Sequence, residues 1–215
     1  MMFEGLDEVP WHTLEHAHGR ADDVPGAIRA LLDPDLDRRG AALDELTTTV
    51  WHEGTVYTAT APAVPYLAEA ALSRDVEPRT ALHVALLLAW IADGGGEEAG
   101  AARDAVRREL PRLLRGPLPV LAAAALFPEE RERVAPELSA RLAVEDGGRR
   151  RLFLRWSLIA VGAEPAQAGD VEALPDLYGG AQWREDLRAA LARGETPPVG
   201  YGSLLSDLAW HARER

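Results

Sequence analysis

Apolar residues recur along this chain with the spacing of an α-helix, and prolines interrupt the pattern at intervals of about forty residues. In the first clear segment, the apolar positions Val24, Ile28, Leu31 and Leu32 fall at i, i+4, i+7 and i+8, which is one face of a helix. Asp33-Pro34 then ends this helix, because the residue before a proline avoids the α region. A second apolar helical run follows over residues 41–50. The segment therefore predicts a pair of helices joined by a short turn.

Two sequence markers repeat with nearly the same period. Prolines enter apolar helical strings at spacings of 40, 46, 25 and 39 residues, at Pro25, Pro65, Pro111, Pro136 and Pro175. The dipeptide Trp-His occurs at Trp11-His12 and again 40 residues later at Trp51-His52, and Trp90 follows 39 residues further on. Two markers that share a period indicate an array of repeated helical pairs.

The strings around these markers resemble HEAT repeats. The string VPGAIRALLDPDLDRRGAALDEL (residues 24–46) has a proline in its first helix, an aspartate at the turn and arginines that open the second helix. AVPYLAEAAL and TALHVALLLAWIADG are similar to the two helices of a further repeat, and residues 51–67 resemble small HEAT-repeat proteins of actinobacteria. The resemblance is clear over residues 20–95 and looser over residues 97–215. It implies an α-solenoid that presents an interaction surface and carries no chemistry of its own.

The predicted fold class is therefore all-α, a right-handed α-solenoid of about five HEAT-like helical pairs that forms one repeat domain over residues 1–215. No strand is expected. Thr55–Thr58 is rich in β-forming residues, but it lies between Gly54 and a proline-containing helix, so a structured loop between helices is predicted there.

Charge is distributed unevenly along the chain. The 215 residues carry a net charge of −12, and all 23 basic residues are arginine. Residues 1–100 hold 18 acidic residues and 6 arginines, whereas the rest of the chain is balanced. An acidic half favours basic protein partners and opposes the phosphate backbone, so nucleic acid is not an expected partner.

Several classes of protein are excluded or disfavoured by the same composition. The chain has no cysteine, which excludes disulfides, thiolate metal sites and cysteine nucleophiles. The first ten residues are acidic and do not resemble a signal peptide. The longest apolar stretch, residues 81–92, contains His83 and is too short to span a bilayer. A cytoplasmic protein without membrane contact or cofactor is expected.

One string matches a catalytic motif. Residues 12–16 read H-x-x-E-H, and on a helix His12 and His16 would share one face beside Glu15, as in zinc proteases of the inverted motif. No partner motif supplies a third ligand, so no metal site is predicted, and a role in capping the first helix is favoured for these histidines.

The densest polar and aromatic cluster lies at residues 51–57. Tryptophan and tyrosine dominate the energetics of many protein interfaces, so this segment is a candidate recognition loop. Its recurrence in the Trp-His marker also fits packing between repeats. The candidate binding residues are Trp51, His52, Glu53, Tyr57, Trp11, His12 and His16.

The function expected from these observations is non-catalytic protein binding, as an adaptor, an inhibitor or an immunity-type protein. The alternative is an enzyme on a HEAT-like scaffold. It would be either a metal-dependent hydrolase around His12 and His16 or a DNA glycosylase for alkylated bases. A stripe of arginines at helical spacing could contact DNA, but interleaved acidic residues favour ion pairs on a solvated helix face. The stripe comprises Arg103, Arg107, Arg108, Arg112 and Arg115.

Overall fold

A computed structural model describes residues 2–175, 181–197 and 200–212. The described chain is mostly helical, which confirms the all-α prediction at the level of class. It divides into two compact units, Met1–Ala123 and Ala124–Arg215, each with its own set of packed helices.

The first unit contains five α-helices and two short β-hairpins. Helix α3 packs on both α4 and α5, and α1 packs on α2. Fully buried leucines of α3 and α4, such as Leu67 and Leu88, lie at the centre of this packing. Burying such a side chain contributes about 1.5–3 kcal/mol. The helices are α1 (Val24–Ala30), α2 (Leu36–Thr49), α3 (Thr60–Leu72), α4 (Pro78–Ala92) and α5 (Ala99–Leu113).

The expectation of no strand is wrong at four short segments. Strand β1 (Glu15–His16) pairs with β2 (Gly19–Arg20), and β3 (Trp51–His52) pairs with β4 (Thr55–Val56), both antiparallel. Each hairpin directly precedes the first helix of a helical pair. The repeating element of this unit is therefore a hairpin followed by two helices.

The structural repeat has a different register from the sequence markers. The hairpins begin at Glu15 and Trp51, and the helices after them begin at Val24 and Thr60, so both differences are 36 residues. His16 and His52 are then equivalent, as second residues of their first strands. Trp11 and Trp51 are not equivalent, because Trp11 lies in a 3-10 turn ahead of the first hairpin.

The prolines share no single place in their helices. Pro65 and Pro136 are each the sixth residue of their helix, in α3 and in the helix Arg131–Val144. Pro25, however, is in the first turn of α1, and Pro111 is close to the end of α5. Pro175 follows the end of a short helix, and the rest of its string, residues 176–180, lies outside the described residues. The spacing of the prolines therefore indicates where helices occur, but the prolines do not all occupy the same position within a helix.

An acidic residue caps the second helix of each pair in the first unit. The Asp35 carboxylate accepts hydrogen bonds from the amides of Asp37 and Arg38 at the start of α2. At α4, the Glu77 carboxylate accepts from the amides of Arg79 and Thr80. These amides have no partner within the helix, so the caps fix where each helix begins.

The Glu77 cap makes the stability of the first unit sensitive to acid. The backbone hydrogen bond from Arg79, which only the ionised carboxylate can fully accept, lowers the pKa of Glu77 below its ordinary value of 4.5. The stabilising contribution is therefore complete above pH 4.5 and is lost as the pH falls through the lower folded value. We expect Glu77→Ala to cost about 1 kcal/mol at neutral pH. Its effect should shrink in acid. Urea unfolding of both proteins at several pH values measures this difference, and a penalty independent of pH would contradict the cap.

The second unit consists of helices α7 to α11. Helix α8 packs on α7, α9 and α11, and it contains the fully buried Phe153 and Trp156. Arg155 on the same helix forms a two-pronged ion pair with Asp170, with N–O distances of 2.9 and 3.0 Å. The helices are α7 (Arg131–Val144), α8 (Gly148–Ala160), α9 (Ala168–Glu172), α10 (Ala181–Ala192) and α11 (Gly200–Ala212), and the short α6 (Leu121–Ala124) lies at the boundary between the units.

None of the helices within residues 2–175, 181–197 and 200–212 combines the length and apolarity that a membrane span requires.

Candidate functional site

Three extended segments stack along one edge of the first unit. The amide of Ala59, just beyond β4, donates to the Glu15 carbonyl of β1 at 3.0 Å. On the other side of the second hairpin, the Val56 amide donates to the Gly95 carbonyl at 3.1 Å, and the Gly95 amide donates to the Gly54 carbonyl at 2.7 Å. We call this row, made of residues 15–20, 51–56 and 94–96, the hairpin edge. It brings loops from successive helical pairs into one surface.

The tip of the second hairpin has an unusual backbone conformation. Glu53 and Gly54 connect the strands with φ values of 48° and 83°. Positive φ at both central residues defines a type I′ turn, which suits the twist of a two-residue hairpin. Glycine adopts this conformation freely, but at Glu53 it costs about 1 kcal/mol. The Glu53 side chain is exposed.

Two tryptophans lie side by side next to this tip. The ring centroids of Trp51 on β3 and Trp90 on α4 are 5.3 Å apart, and the ring planes are tilted by 33°. Both side chains are half-buried, so the pair packs on the unit and still presents aromatic surface to solvent. Trp51, which the sequence predicts as a binding residue, is thus placed beside a tryptophan from the second helix of its own pair.

His16, the last residue of β1, is held by two hydrogen bonds beside the turn of the first hairpin. Its Nε2 lies 3.0 Å from the carboxylate of Asp23, the residue that precedes α1, and its Nδ1 accepts the amide of His18 at 3.0 Å. Both bonds are satisfied together when Nε2 carries the proton and Nδ1 does not, which assigns the neutral Nε2–H tautomer. The side chain is 4% exposed.

Glu45 of α2 adds a second carboxylate to this cluster. Burial raises the pKa of Glu45 above its ordinary value, the Asp23 carboxylate raises it further, and His16 opposes both effects. The arrangement places one imidazole beside two carboxylates at the junction of the first hairpin with α1 and α2.

Histidine rings connect the two hairpins. His18, in the turn of the first hairpin, packs edge-on against His52 of β3, with ring centroids 5.4 Å apart. The same ring lies 6.1 Å from His16, again edge-on. His16 and His52 are predicted from the sequence as binding residues, whereas His18, which joins them, is not. Its position depends on how the hairpins stack, and one sequence gives no signal of that stacking.

The remaining predicted site residues have different environments. Trp11 is 5% exposed, and its indole N–H donates to the Leu6 carbonyl at 2.8 Å, so its observed role is packing. His12 is exposed in the 3-10 turn Trp11–Thr13. Tyr57 follows β4 and is half-buried, and its amide donates to the Thr60 hydroxyl at 2.8 Å.

The H-x-x-E-H string is not helical. His12 lies in the 3-10 turn and His16 lies in strand β1, so the two histidines do not share a helix face as the hydrolase motif requires. Across the described part of the chain, no three or more histidine, aspartate or glutamate side chains are grouped so as to hold a metal ion. The favoured capping role is not seen, because His16 contacts the Asp23 carboxylate and Asp23 makes no side-chain hydrogen bond to the first turn of α1.

The arginine stripe on α5 is occupied by ion pairs and helix contacts. Arg107 pairs with Asp104 at 3.0 Å, and Arg112 pairs with Glu109 at 2.8 Å. Arg103 donates to the carbonyl of Ala92 at the end of α4. These contacts match the interpretation of a solvated, ion-paired helix face.

The second unit contains a separate open cleft of about 520 Å³. Tyr201 lines it, and burial raises the pKa of that phenol above its ordinary value of 10.0. The other polar side chains in its wall are Glu164, Gln167, Arg188 and Glu195. None of the predicted site residues lies in this cleft.

Comparison of the chain with protein-family models, with curated proteins and with solved structures gave no match.

Proposed function

We propose that this chain is a non-catalytic protein-binding scaffold, an adaptor, inhibitor or immunity-type protein, and that the hairpin edge is its recognition surface. In this proposal the helical pairs continue as a right-handed, HEAT-like α-solenoid of about five pairs, and the hairpins give each early pair a projecting loop. The proposal depends most on the tip of the second hairpin, where Glu53 is exposed in a conformation that asparagine or glycine would adopt at lower cost. Strain of this kind is concentrated at functional positions.

The tryptophan pair supports an interface role for the same edge. Trp51 and Trp90 are half-buried beside the tip. Large aromatic rings that are already held in place bind with little further loss of side-chain entropy, which is one reason why they dominate interface hot spots. Tyr57 lies directly beyond β4 and extends this aromatic surface in the proposal.

The charge of the edge favours a basic partner. Four carboxylates lie on or next to it, and within the described residues none of them forms an ion pair with a side chain. By contrast, Asp35 and Glu77 lie at the N-terminal ends of α2 and α4, where their carboxylates cap the helices. Unpaired carboxylates accelerate association with a basic protein and lose this effect in high salt. The four are Glu15, Glu53, Glu97 and Glu98.

Replacing Glu53 by asparagine distinguishes the effect of this residue on stability from its effect on binding. Asparagine tolerates positive φ better than glutamate, so Glu53→Asn should raise the free energy of unfolding by about 0.5–1 kcal/mol. The same change removes a carboxylate from the tip, so association with a basic partner captured from the native host should slow. Chemical denaturation measures the free energy of unfolding, and surface-based binding kinetics at low salt measure the association rate.

Asp75→Asn is the matched control. Asp75 is also exposed, but it lies beyond the opposite end of α3 from the second hairpin. This change should leave the association rate unaltered. If Glu53→Asn and Asp75→Asn gave the same kinetics, the tip would not contact the partner and the proposal would fail.

A further inference from the structure

The histidines of the hairpin edge occupy an arrangement that protein binding does not require. His16 is almost completely buried and accepts a backbone hydrogen bond at Nδ1, which is possible only while that nitrogen carries no proton. The bond it accepts comes from His18, whose ring packs on His52 of the next hairpin. Protonation of His16 would therefore change the position of His18, and with it the contact between the two hairpins.

We propose that His16, His18 and His52 form a proton-sensitive switch that holds the two hairpins together at neutral pH and loosens their contact when His16 becomes an imidazolium. This inference goes beyond the proposed function, and its test needs no partner.

The first step is the loss of one hydrogen bond. In the imidazolium form both ring nitrogens are donors, so the Nδ1–H of His16 faces the amide N–H of His18 and the two repel. The Nε2–H bond to Asp23 survives and becomes charge-assisted. The net exchange makes the contact between His16 and Asp23 charge-assisted and removes one of the hydrogen bonds that hold the turn at residues 17–18, while the Ala17 amide still donates to the Thr49 carbonyl.

The second step is charge repulsion between the hairpins. The ring centroids of His18 and His52 are 5.4 Å apart. Two positive charges at this distance repel, and His16 adds a third at 6.1 Å from His18. Once its amide has lost its acceptor, the His18 side of the turn is released from His16 and moves away from His52, while the Ala17 amide keeps the rest of the turn attached to the Thr49 carbonyl.

Carboxylates are unevenly distributed around the cluster. The Asp23 carboxylate, directly before α1, is hydrogen-bonded to His16, and Glu45 of α2 interacts electrostatically with the same ring. His18 and His52 have no hydrogen-bonded or paired carboxylate among the described residues. The other charged side chains on these hairpins are Glu15, Arg20 and Glu53, together with Asp22, which pairs with Arg20. The histidine whose Nδ1 accepts the turn amide is therefore also the one that is paired with a carboxylate.

Nuclear magnetic resonance of the whole chain between about pH 8 and pH 5 tests this switch, because the range brackets the ordinary histidine pKa of about 6.5. The backbone amide resonance of His18 should titrate with the same midpoint as the His16 imidazole. Contacts between the rings of His18 and His52 should disappear over the same interval. An amide of His18 that stays constant while the His16 ring titrates would overturn the proposal.

Three variants make the assignment specific. His16→Asn keeps an acceptor close to the position of Nδ1 but cannot take up a proton, so the His18 amide should lose its pH response. His52→Phe keeps an aromatic ring against His18 and removes one charge. The amide should still titrate, while the ring contact should persist at low pH. His12→Asn changes the exposed histidine outside the cluster and should behave as the wild type. An unchanged amide titration in His16→Asn would show that another group drives it.

Discussion

Thr60→Val is expected to lower the free energy of unfolding of the first unit by about 2–3 kcal/mol. The Thr60 hydroxyl is completely buried at the start of α3, where it donates to the carbonyl of Val50 and accepts the amide of Tyr57. Valine has nearly the same shape, but it leaves a buried donor and a buried acceptor without partners. Each unsatisfied group costs about 1–3 kcal/mol. Because these two groups flank β3 and β4, the loss of stability should be greatest in the second hairpin.

Thr60→Ser provides the matched comparison. Serine retains the hydroxyl and loses one methyl group, so its penalty should be near 1 kcal/mol, the value for a buried CH₂. Urea denaturation gives both free energies, and amide hydrogen exchange should show faster opening of residues 51–57 in Thr60→Val than in Thr60→Ser. Equal penalties for the two variants would mean that the hydroxyl does not anchor the hairpin.

Gly96→Ala should be nearly as damaging, because it disrupts the third segment of the hairpin edge. Gly96 has a φ of 98°, and a Cβ at this position would lie 3.0 Å from Cγ2 of Thr55. An alanine at this backbone conformation costs about 1–2 kcal/mol, and the contact with Thr55 adds to it. We expect a loss of about 2 kcal/mol together with weaker pairing between Thr55 and Gly95. Thermal denaturation and exchange of the Val56 amide, which donates to Gly95, measure the two effects.

Gly100→Ala is the control for that substitution. Gly100 lies four residues further on, in the first turn of α5, and a Cβ there would meet no other atom within 4 Å. Because alanine favours the helix, this variant should be stabilised by about 0.5–1 kcal/mol. If both glycine variants changed stability in the same direction, the strain at Gly96 would not be supported.

The helices could be predicted from the sequence because their apolar residues repeat with a helical period over ten or more positions. Val24, Ile28 and Leu31 are buried, as the pattern for α1 predicts, whereas Leu32, which the same pattern places on the buried face, is 37% exposed. The Trp-His marker predicted repetition, but it aligned Trp11 in a 3-10 turn with Trp51 in a strand. The side chains that repeat structurally are His52 in the second hairpin and His16 in the first, so the histidine of the first Trp-His dipeptide, His12, has no part in the repeat.

The hairpins were missed because two-residue strands are too short to show a period. The second hairpin does carry a local signal, since Glu53-Gly54 lies between Trp-His and Thr-Val, and a residue followed by glycine between β-forming residues is a typical hairpin turn. The first hairpin has only Gly19 as a comparable signal. Its strands are held instead by bonds to Thr49 and Thr58, which lie 29 or more residues away along the chain.

The most direct test of the proposed recognition surface uses the absence of lysine from this chain. A carbodiimide joins carboxylates to amines at zero length, so apart from the amino terminus every amide crosslink between the two proteins of a purified complex must join a carboxylate of this chain to an amine of the partner. We predict that mass spectrometry will locate these crosslinks at the carboxylates of the hairpin edge and its flank, at Glu15, Glu53, Glu97 or Glu98, and that the partner will be basic. Crosslinks confined to acidic residues of the second unit, or an acidic partner, would contradict the account.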